Sequence, residues 1–493
     1  MEVSRSNFKE HVDTVLKDIK TCSFISCDGE FTGIRNDNFR CMPFDTIDER
    51  YEKLKQGNMK YLMCQVGLSF FFLESDGSYT VKPYNFYILP SAAASTDDTS
   101  NFVCQTSCIN FLTSHGFDFN KVFRDGIPFL KPAEESKALD RLMESHEKKQ
   151  KSTFKSDKLD TPTSIKPVDE KFLQQTVLQI KEFLRTAAHG DKLNLESTNS
   201  YRRKLLYGRL GEIFGDTVTV EVMGIGKQRP LIVTKVDAER KKEIELEALN
   251  KKLRELEDAV GFSQVVKEIS ISGKILVGHN MLLDVMYLIS QFLAQLPNTY
   301  KEFKPMANEI FPKLMDTKVI SSTYLFKDNI EFNSLEEMNK ILHTSLYQQI
   351  DCDYTNADAK FHDAAYDSFV TGKCFAIMSK HIGSQASPPV QDIISNSSLL
   401  NPFLNKLFIN GLPDISYMNL SGAEAKVDRD HMYHITFPPS WQRSDICQVF
   451  YPADIYIKWI DTKSAMVTLQ HRSDNKAAVL SGVTVTGVLS LVV

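Results

Sequence analysis

At 493 residues the chain exceeds one ordinary hydrophobic core, and its length corresponds to about two to four domains. An apolar fraction of 42% and a charged fraction of 25% are those of a soluble globular protein. The formal charge of −5, from 58 Lys and Arg against 63 Asp and Glu, excludes a uniformly basic nucleic-acid binder while leaving room for local basic patches.

In chain order, the opening "MEVSRSNFKEHVDTVLKDI" has no apolar core and carries acids, so it does not read as a secretory signal. Its pattern predicts an amphipathic helix with Ser6 as N-cap. "FISCDGEF", Phe24 to Phe31, reads as a buried strand that ends in two acids. "YLMCQVGLSFFFLES" and "KPYNFYILP" follow as further strands, with a turn at Asp76-Gly77. From Pro132 to Glu170 the composition becomes charged and then rich in Ser, Thr and Pro, which predicts a charged helix and a flexible linker. A small helix-and-strand unit follows, from about Lys171 to Asp237, inserted into something larger. Leu246, Leu249, Leu253 and Leu256 then form a stripe in a dense charge run. The stripe suits either a surface helix packed on its own protein or a short coiled segment.

"SGKILVGHNMLLDVMYLISQFL" predicts a strand, a turn and a long helix. The α/β pattern continues to about Asn410, and after a polar linker a last small domain begins near His431. The final uncharged run, Ala477 to Val493, is rich in β-branched residues. It reads as a strand and chain end, with a membrane anchor as the alternative to test. The nine cysteines lack zinc-framework spacing, which suits reduced thiols in a nuclear or cytosolic compartment.

Three separated places put acids at the edge of an apolar element. In "FISCDGEF", Asp28 and Glu30 are two apart on a strand and so face the same side. Two carboxylates that close repel one another unless a cation intervenes, although a solvated strand end would also tolerate them. In "KILVGHNMLLD", Asp284 falls in the first turns of a helix among leucines. In "FHDAAYDSFVTG", His362 precedes Asp367 by five residues, about 140° apart if both were helical at about 100° per residue. His362 is therefore placed at the start of the helix and Asp367 inside it, both within reach of one point. Carboxylate oxygens suit Mg²⁺ or Mn²⁺, and two such ions about 3.5–4 Å apart stabilise in-line phosphoryl displacement. A histidine beside them can take the proton of the attacking water.

D-x-E, a distant N-x-x-x-D and H-x-x-x-x-D together form the pattern of DEDDh-type 3′ exonucleases. The phrases "DGEFTGI", "GFDFNKVFRDGIPFL", "DAVGFSQV", "VGHNMLLDVM", "LMDTK" and "NPFLNKLF" resemble the poly(A)-specific ribonuclease family, in order and along nearly the whole chain. The resemblance implies an α/β fold. An RNase H-like DEDD exonuclease core (1–165 and 238–412) would carry an inserted R-three-H-like domain (170–237) and a C-terminal domain like an RNA recognition motif (428–493).

The resemblance further makes Asp28, Glu30, Asp284 and Asp367 metal ligands, with His362 as general base. It implies two Mg²⁺ ions, with Mn²⁺ as a substitute, and release of 5′-AMP from the 3′ end of poly(A) RNA. It also implies a homodimer built through the nuclease domain and a nuclear and cytoplasmic location. Lys318 matches a lysine near the family's active site and is either a phosphate contact or a surface lysine. Phe31 and Ile34 match residues near the terminal adenosines and are either RNA contacts or core. Trp459 matches a tryptophan that stacks on the 5′ cap, a cationic base on an indole face, with core packing as the alternative; Trp441 reads as structural.

Two departures stand out. In the inserted unit Arg203 is followed by Tyr207 where the R-three-H motif has histidine, leaving the cluster Arg202-Arg203-Lys204 as either an RNA contact or a solvated helix start. In the last domain Ser464 and Met466 replace the usual stacking aromatics of the third strand. The main alternative is a related nuclease that trims piRNA precursors and carries a C-terminal membrane anchor. A non-enzymatic RNA or cap binder is disfavoured because all five catalytic positions are filled, and a DNA proofreading exonuclease would lack the accessory domains.

Overall fold

A computed structural model describes the chain apart from residues 35–38, 91–100, 153–164, 224–228, 332, 354–360, 395–396, 413–414, 428, 430–431, 471–483 and 487–493. It divides into two units, residues Met1–Pro132 with Val260–Val493, and Ala133–Ala259.

The first unit opens with β1 (Glu2–Val3), α1 (Phe8–Thr21), β2 (Phe24–Phe31), α2 (Ile47–Asn58), β3 (Met63–Leu73), β4 (Tyr79–Tyr87), α3 (Thr106–Ser114) and α4 (Phe119–Asp125). The chain then runs through α5 (Pro132–Ser152), α6 (Pro167–Thr186), β5 (Lys192–Thr198), α7 (Ser200–Phe214), β6 (Val218–Val222), β7 (Arg229–Lys235) and α8 (Ala238–Val260), which build the second unit. It returns to the first with α9 (Ser263–Ser272), β8 (Ile275–Gly278), α10 (Leu282–Tyr287), α11 (Tyr300–Ile310), β9 (Leu314–Asp316), α12 (Thr317–Ser321), α13 (Leu335–Leu342), β10 (Cys352–Asp353) and α14 (Ala364–Ser384). Last come β11 (Lys406–Phe408), β12 (Tyr417–Asn419), β13 (Met432–Thr436), α15 (Arg443–Val449), β14 (Ile455–Trp459), β15 (Ser464–Leu469) and β16 (Thr484–Thr486).

The main sheet has seven strands in the order β1-β4-β3-β2-β8-β9, with β10 also on β4. β2, β3 and β4 form an antiparallel meander, while β8 and β9 run parallel to β2. Apolar residues alternate to both faces of β2. Ile25 and Cys27 join one core with residues of α1, α9 and α10, and Phe24 joins another with residues of α13 and α14. A sheet covered on both faces is rigid, and the carboxyl end of β2 is a fixed platform.

Helix α14 presses unusually close to that platform. Gly67 on β3 is the cross-strand partner of Asp28. A Cβ built on Gly67 would lie 1.8 Å from the carbonyl oxygen of Ala364, the first residue of α14. Ser26 Oγ donates to the Ser368 carbonyl at 2.7 Å, and the Ser69 and Ser368 hydroxyls are 2.8 Å apart. Small and hydroxylated residues thus replace side-chain bulk with hydrogen bonds where helix and sheet meet.

Two local expectations are corrected. The N-cap of α1 is Asn7 rather than Ser6, whose hydroxyl instead donates to Asp125 at 2.6 Å. The long helix after β8 is split, because α10 passes into a π-helical turn at Leu288–Leu293. There the buried Gln291 hydrogen-bonds the backbone N–H and carbonyl of Met63, which holds the turn to β3.

In the second unit, α6 and α7 pack on the antiparallel sheet β5-β7-β6 around Leu173, Ile180, Leu206 and Val233. Arg202 pairs with Asp169 at 2.7 Å and lies over Phe172, and Arg203 donates to the Thr198 carbonyl. Two of the three clustered basic residues therefore have intramolecular partners.

The C-terminal sheet of the first unit runs β14-β15-β13-β16, all antiparallel, with α15 packed on it through Ile446. Thr484–Thr486 of the apolar tail pair with His434–Thr436, and the rest of that tail lies outside the described residues. Among the described residues no helix is long and apolar enough to cross a membrane.

Replacing Gly67 by alanine forces backbone apart from backbone. The expected cost is about 1–3 kcal/mol or more, read as a lowered urea midpoint. An unchanged midpoint contradicts the close packing described.

Candidate active site

Asp28 and Glu30 lie near the end of β2 and share one face, as their two-residue spacing requires, and Ser26 on that same face hydrogen-bonds α14. The glycine between them has its own role. A Cβ on Gly29 would lie 3.0 Å from Asp284 Oδ1 and 2.5 Å from Met63 Cε, so the missing side chain leaves room for Asp284 to approach. Asp284 belongs to the first turn of α10.

That turn is held by a residue the sequence reading passed over, the fully buried Asp316 at the end of β9. Its Oδ1 accepts the backbone N–H groups of Asn280 at 2.9 Å and Lys318 at 3.0 Å. Its Oδ2 accepts those of Met281 at 3.2 Å and Phe408 at 3.0 Å. One carboxylate thereby fastens the β8–α10 turn, with Asn280 at φ +58°, to α12 and β11.

On α14, Asp363 is the N-cap and accepts the Tyr366 N–H, while Asn85 donates to its other oxygen at 2.9 Å. His362 precedes the cap with φ +70°, a left-handed conformation that is costly for a non-glycine residue. Its backbone N–H donates to Asp367 Oδ2 at 2.9 Å, which fixes that conformation. One ligand atom each of Glu30, His362 and Asp367 lie within 4.8 Å of one another.

The site is electrostatically costly. Burial, then repulsion from Asp367, Asp284 and Glu30, pushes the Asp28 carboxyl well above its usual range. Burial followed by Asp367 and Asp284 does the same to Glu30. Burial pushes Asp284 and Asp367 up to about 7 despite backbone N–H groups that oppose it. Burial, then the neighbouring His115, holds His362 below the ordinary histidine value, so its imidazole is neutral and able to accept a proton near pH 7. Asp284 Oδ1 and Asp367 Oδ1 are buried and have no hydrogen-bond partner among the described residues. Four hard oxygen donors, two of them orphaned, fit divalent cations of the Mg²⁺ type.

The other expected residues are placed as follows. Phe31 is half-buried with its ring 4.7 Å from Tyr287, beyond a bulge at Glu30–Phe31. Ile34 is 44% exposed. The Lys318 ammonium lies 5.0 Å from the Phe408 ring, and burial lowers its pKa. In the C-terminal sheet, Trp459 is 44% exposed and meets Phe437 edge-on at 5.2 Å, while Trp441 stacks on Phe437 at 6.0 Å. Ser464 and Met466 do occupy the third-strand positions, opposite Thr436 and His434. Besides Asp316, two rings escaped the sequence reading, Phe111 and His115, which border His362. No local pattern marks them, since α3 reads as an ordinary helix.

The model of the CAF1 family ribonuclease matches residues 3–375, and that of an RNA binding domain matches residues 422–491. The poly(A)-specific ribonuclease PARN of Xenopus laevis is 39% identical over 496 residues, covering 97% of this chain and 78% of that protein. The human protein of the same name is 39% identical over 500 residues, with the same coverage. The pre-piRNA 3′-exonuclease trimmer of Bombyx mori is 28% identical over 457 residues, covering 88% of this chain and 82% of that protein.

The raised carboxylates make a signed prediction. With folded-state values of about 7 against about 3.9 unfolded, Asp284 and Asp367 contribute stability that is fully present below the unfolded value and lost as pH rises through the folded one. In the presence of a chelator, Asp284→Asn should melt above wild type by a margin that grows with pH from about 4 to about 7 and then levels off. Added Mg²⁺ should raise the wild-type melting temperature more than that of the variant. A margin independent of pH contradicts the electrostatic reading.

Proposed function

The chain belongs to the CAF1 family of ribonucleases, among its poly(A)-specific members, and from that premise we propose how its residues perform 3′-to-5′ removal of poly(A). It is a 3′ exoribonuclease with a C-terminal RNA-binding domain. The observation that carries the mechanism is the cluster of Glu30, His362 and Asp367, whose ligand atoms lie within 4.8 Å of one another, with Asp28 and Asp284 close enough to repel the same acids.

Asp28, Glu30, Asp284 and Asp367 would hold two divalent cations, Mg²⁺ or Mn²⁺. The bound ions supply Lewis acidity at the phosphate and charge compensation for the attacking and leaving oxygens. The neutral His362 imidazole takes the proton of the attacking water through its ring nitrogen. Asp367 keeps that imidazole in place by accepting the His362 backbone N–H. Asp284 and Asp367 are buried and Asp28 and Glu30 half-buried, so the charges act at short range in a medium less screened than bulk water. The product is 5′-AMP, released one residue at a time from the 3′ end.

Phe31 and Ile34, directly after the acids, would meet the terminal adenosines, and Lys318 a phosphate. Trp459 presents part of its indole to solvent at the end of β14 and would stack on the cap. The inserted unit is R-three-H-like, and the active form is a homodimer acting in nucleus and cytoplasm. The similarity to the silkworm trimmer keeps small-RNA trimming as the second reading. The pairing of Thr484–Thr486 with β13 favours the RNA-binding sheet over an anchor for that part of the tail.

On a capped, oligo(A)-tailed RNA with Mg²⁺, Asp28→Ala should reduce hydrolysis to background while RNA binding persists, and His362→Ala should lower kcat by about 10²–10⁴-fold. Full activity of Asp28→Ala contradicts the site, and equal rates on tails without adenosine favour trimming. Trp459→Ala should weaken retention on a cap-analogue resin without altering hydrolysis of an uncapped oligo(A); unchanged retention removes Trp459 from cap binding.

A further inference from the structure

The wall of the site formed by α3 is fastened to the strand that carries the acids. The Gln105 N–H donates to the Thr32 carbonyl at 2.7 Å, the Thr32 hydroxyl donates to the Val103 carbonyl at 2.8 Å, and the Ile34 N–H reaches the Gln105 side chain at 3.3 Å. The start of α3 is therefore coupled to the chain just beyond Glu30.

At the other end of α3, His115 is the C-cap. Its Nδ1 lies 2.8 Å from the Phe111 carbonyl oxygen. A carbonyl can only accept, so Nδ1 carries hydrogen and the bond fixes the imidazole against the helix end. The same carbonyl also accepts the His115 backbone N–H at 3.2 Å and the Ser114 hydroxyl at 2.7 Å, so ring and backbone of His115 are tied to one point at the helix end.

The ring held in this way meets the His362 ring at 4.3 Å between centroids and 68° between planes. Phe111 meets His362 at 4.7 Å and 77°, and Phe111 and His115 contact each other at 4.4 Å. His362 is thus held at two points. Asp367 fixes its backbone, and the α3 rings border its imidazole. Of those rings Phe111 is 46% exposed, whereas His115 is half-buried and tied to its own backbone.

We propose that His115 is a positioning residue for hydrolysis, acting as a fixed flat wall that orients the His362 imidazole toward Glu30 and Asp367. The inference rests on His362 being the general base. A reacting group displaced by about 1 Å can cost up to about 10²-fold in rate, and removal of the wall acts on the chemical step rather than on substrate binding.

The test is steady-state hydrolysis of oligo(A) RNA by the full chain with Mg²⁺, comparing wild type, His115→Ala, His115→Leu, His115→Phe and His362→Ala. Loss of the ring in His115→Ala and His115→Leu should lower kcat by about 10- to 100-fold with KM within about twofold. His115→Phe, which restores a flat ring, should recover most of the loss. The leucine variant retains apolar bulk and keeps the comparison usable if the alanine variant folds poorly. Unchanged kcat in both, a rise in KM alone, or no recovery in His115→Phe overturns the proposal. An active His362→Ala instead overturns the general-base reading, so the two failures are separable.

Discussion

The site depends on how closely α14 lies against the main sheet. Gly67 stands opposite Asp28, and its missing side chain is occupied by the backbone of Ala364. Any side chain there would lift the helix and carry His362 and Asp367 away from β2. Gly29 has the matching role for Asp284. Two glycines therefore decide how near the acids come, and serine hydroxyls hydrogen-bonded across the α14 contact replace the packing that larger residues would have supplied. The aromatic cluster behind them makes the platform stiff, with Phe24 stacked on Phe71 at 4.5 Å and edge-on to Phe375 at 5.2 Å.

This closeness opposes stability and serves chemistry. Four carboxyls share a buried volume, and no cationic side chain is among the groups that set their protonation. Contrast Asp45 and Asp316, which are fully buried where Asp28 and Glu30 are only half-buried. Asp45 has Arg50 and Lys53, and Asp316 has four backbone N–H groups. The acids that hold segments together have cations or four N–H groups, whereas Asp284 and Asp367 each keep one buried oxygen without a partner among the described residues. Local strain at His362 follows the same logic, since its left-handed backbone is retained by a hydrogen bond to one of those acids.

What was legible in the sequence was local. The i, i+2 pair of Asp28 and Glu30, the acid in the first turn after "VGHN", and the His-then-Asp spacing at a helix start each follow from strand and helix periodicity. The structure places them as those periods require. The strands of the C-terminal sheet and the absence of aromatics at Ser464 and Met466 were equally readable. What escaped the reading is long-range. Asp316 looks like an ordinary acid in "LMDTK" until the fold brings Asn280, Met281 and Phe408 to it. Gly67 is one glycine in an apolar strand until Ala364 lands on it. His115 lies far along the chain from His362, and the rings meet only in the folded chain, where the segment before α3 pairs with Thr32 and Ile34. Even the α1 cap was misplaced by one residue, because Ser6 is drawn off to Asp125.

The central claim is that the convergent acids are a paired-cation site whose repulsion is relieved on loading. It is tested most directly by titrating Mn²⁺ into chelator-treated protein near pH 7, counting bound ions by electron paramagnetic resonance and following proton release in weak buffer. The expected result is two saturable ions per chain with protons released on binding, because carboxyls with raised pKa values must ionise to ligate. Binding of no ion, or saturation without any proton release, would contradict it.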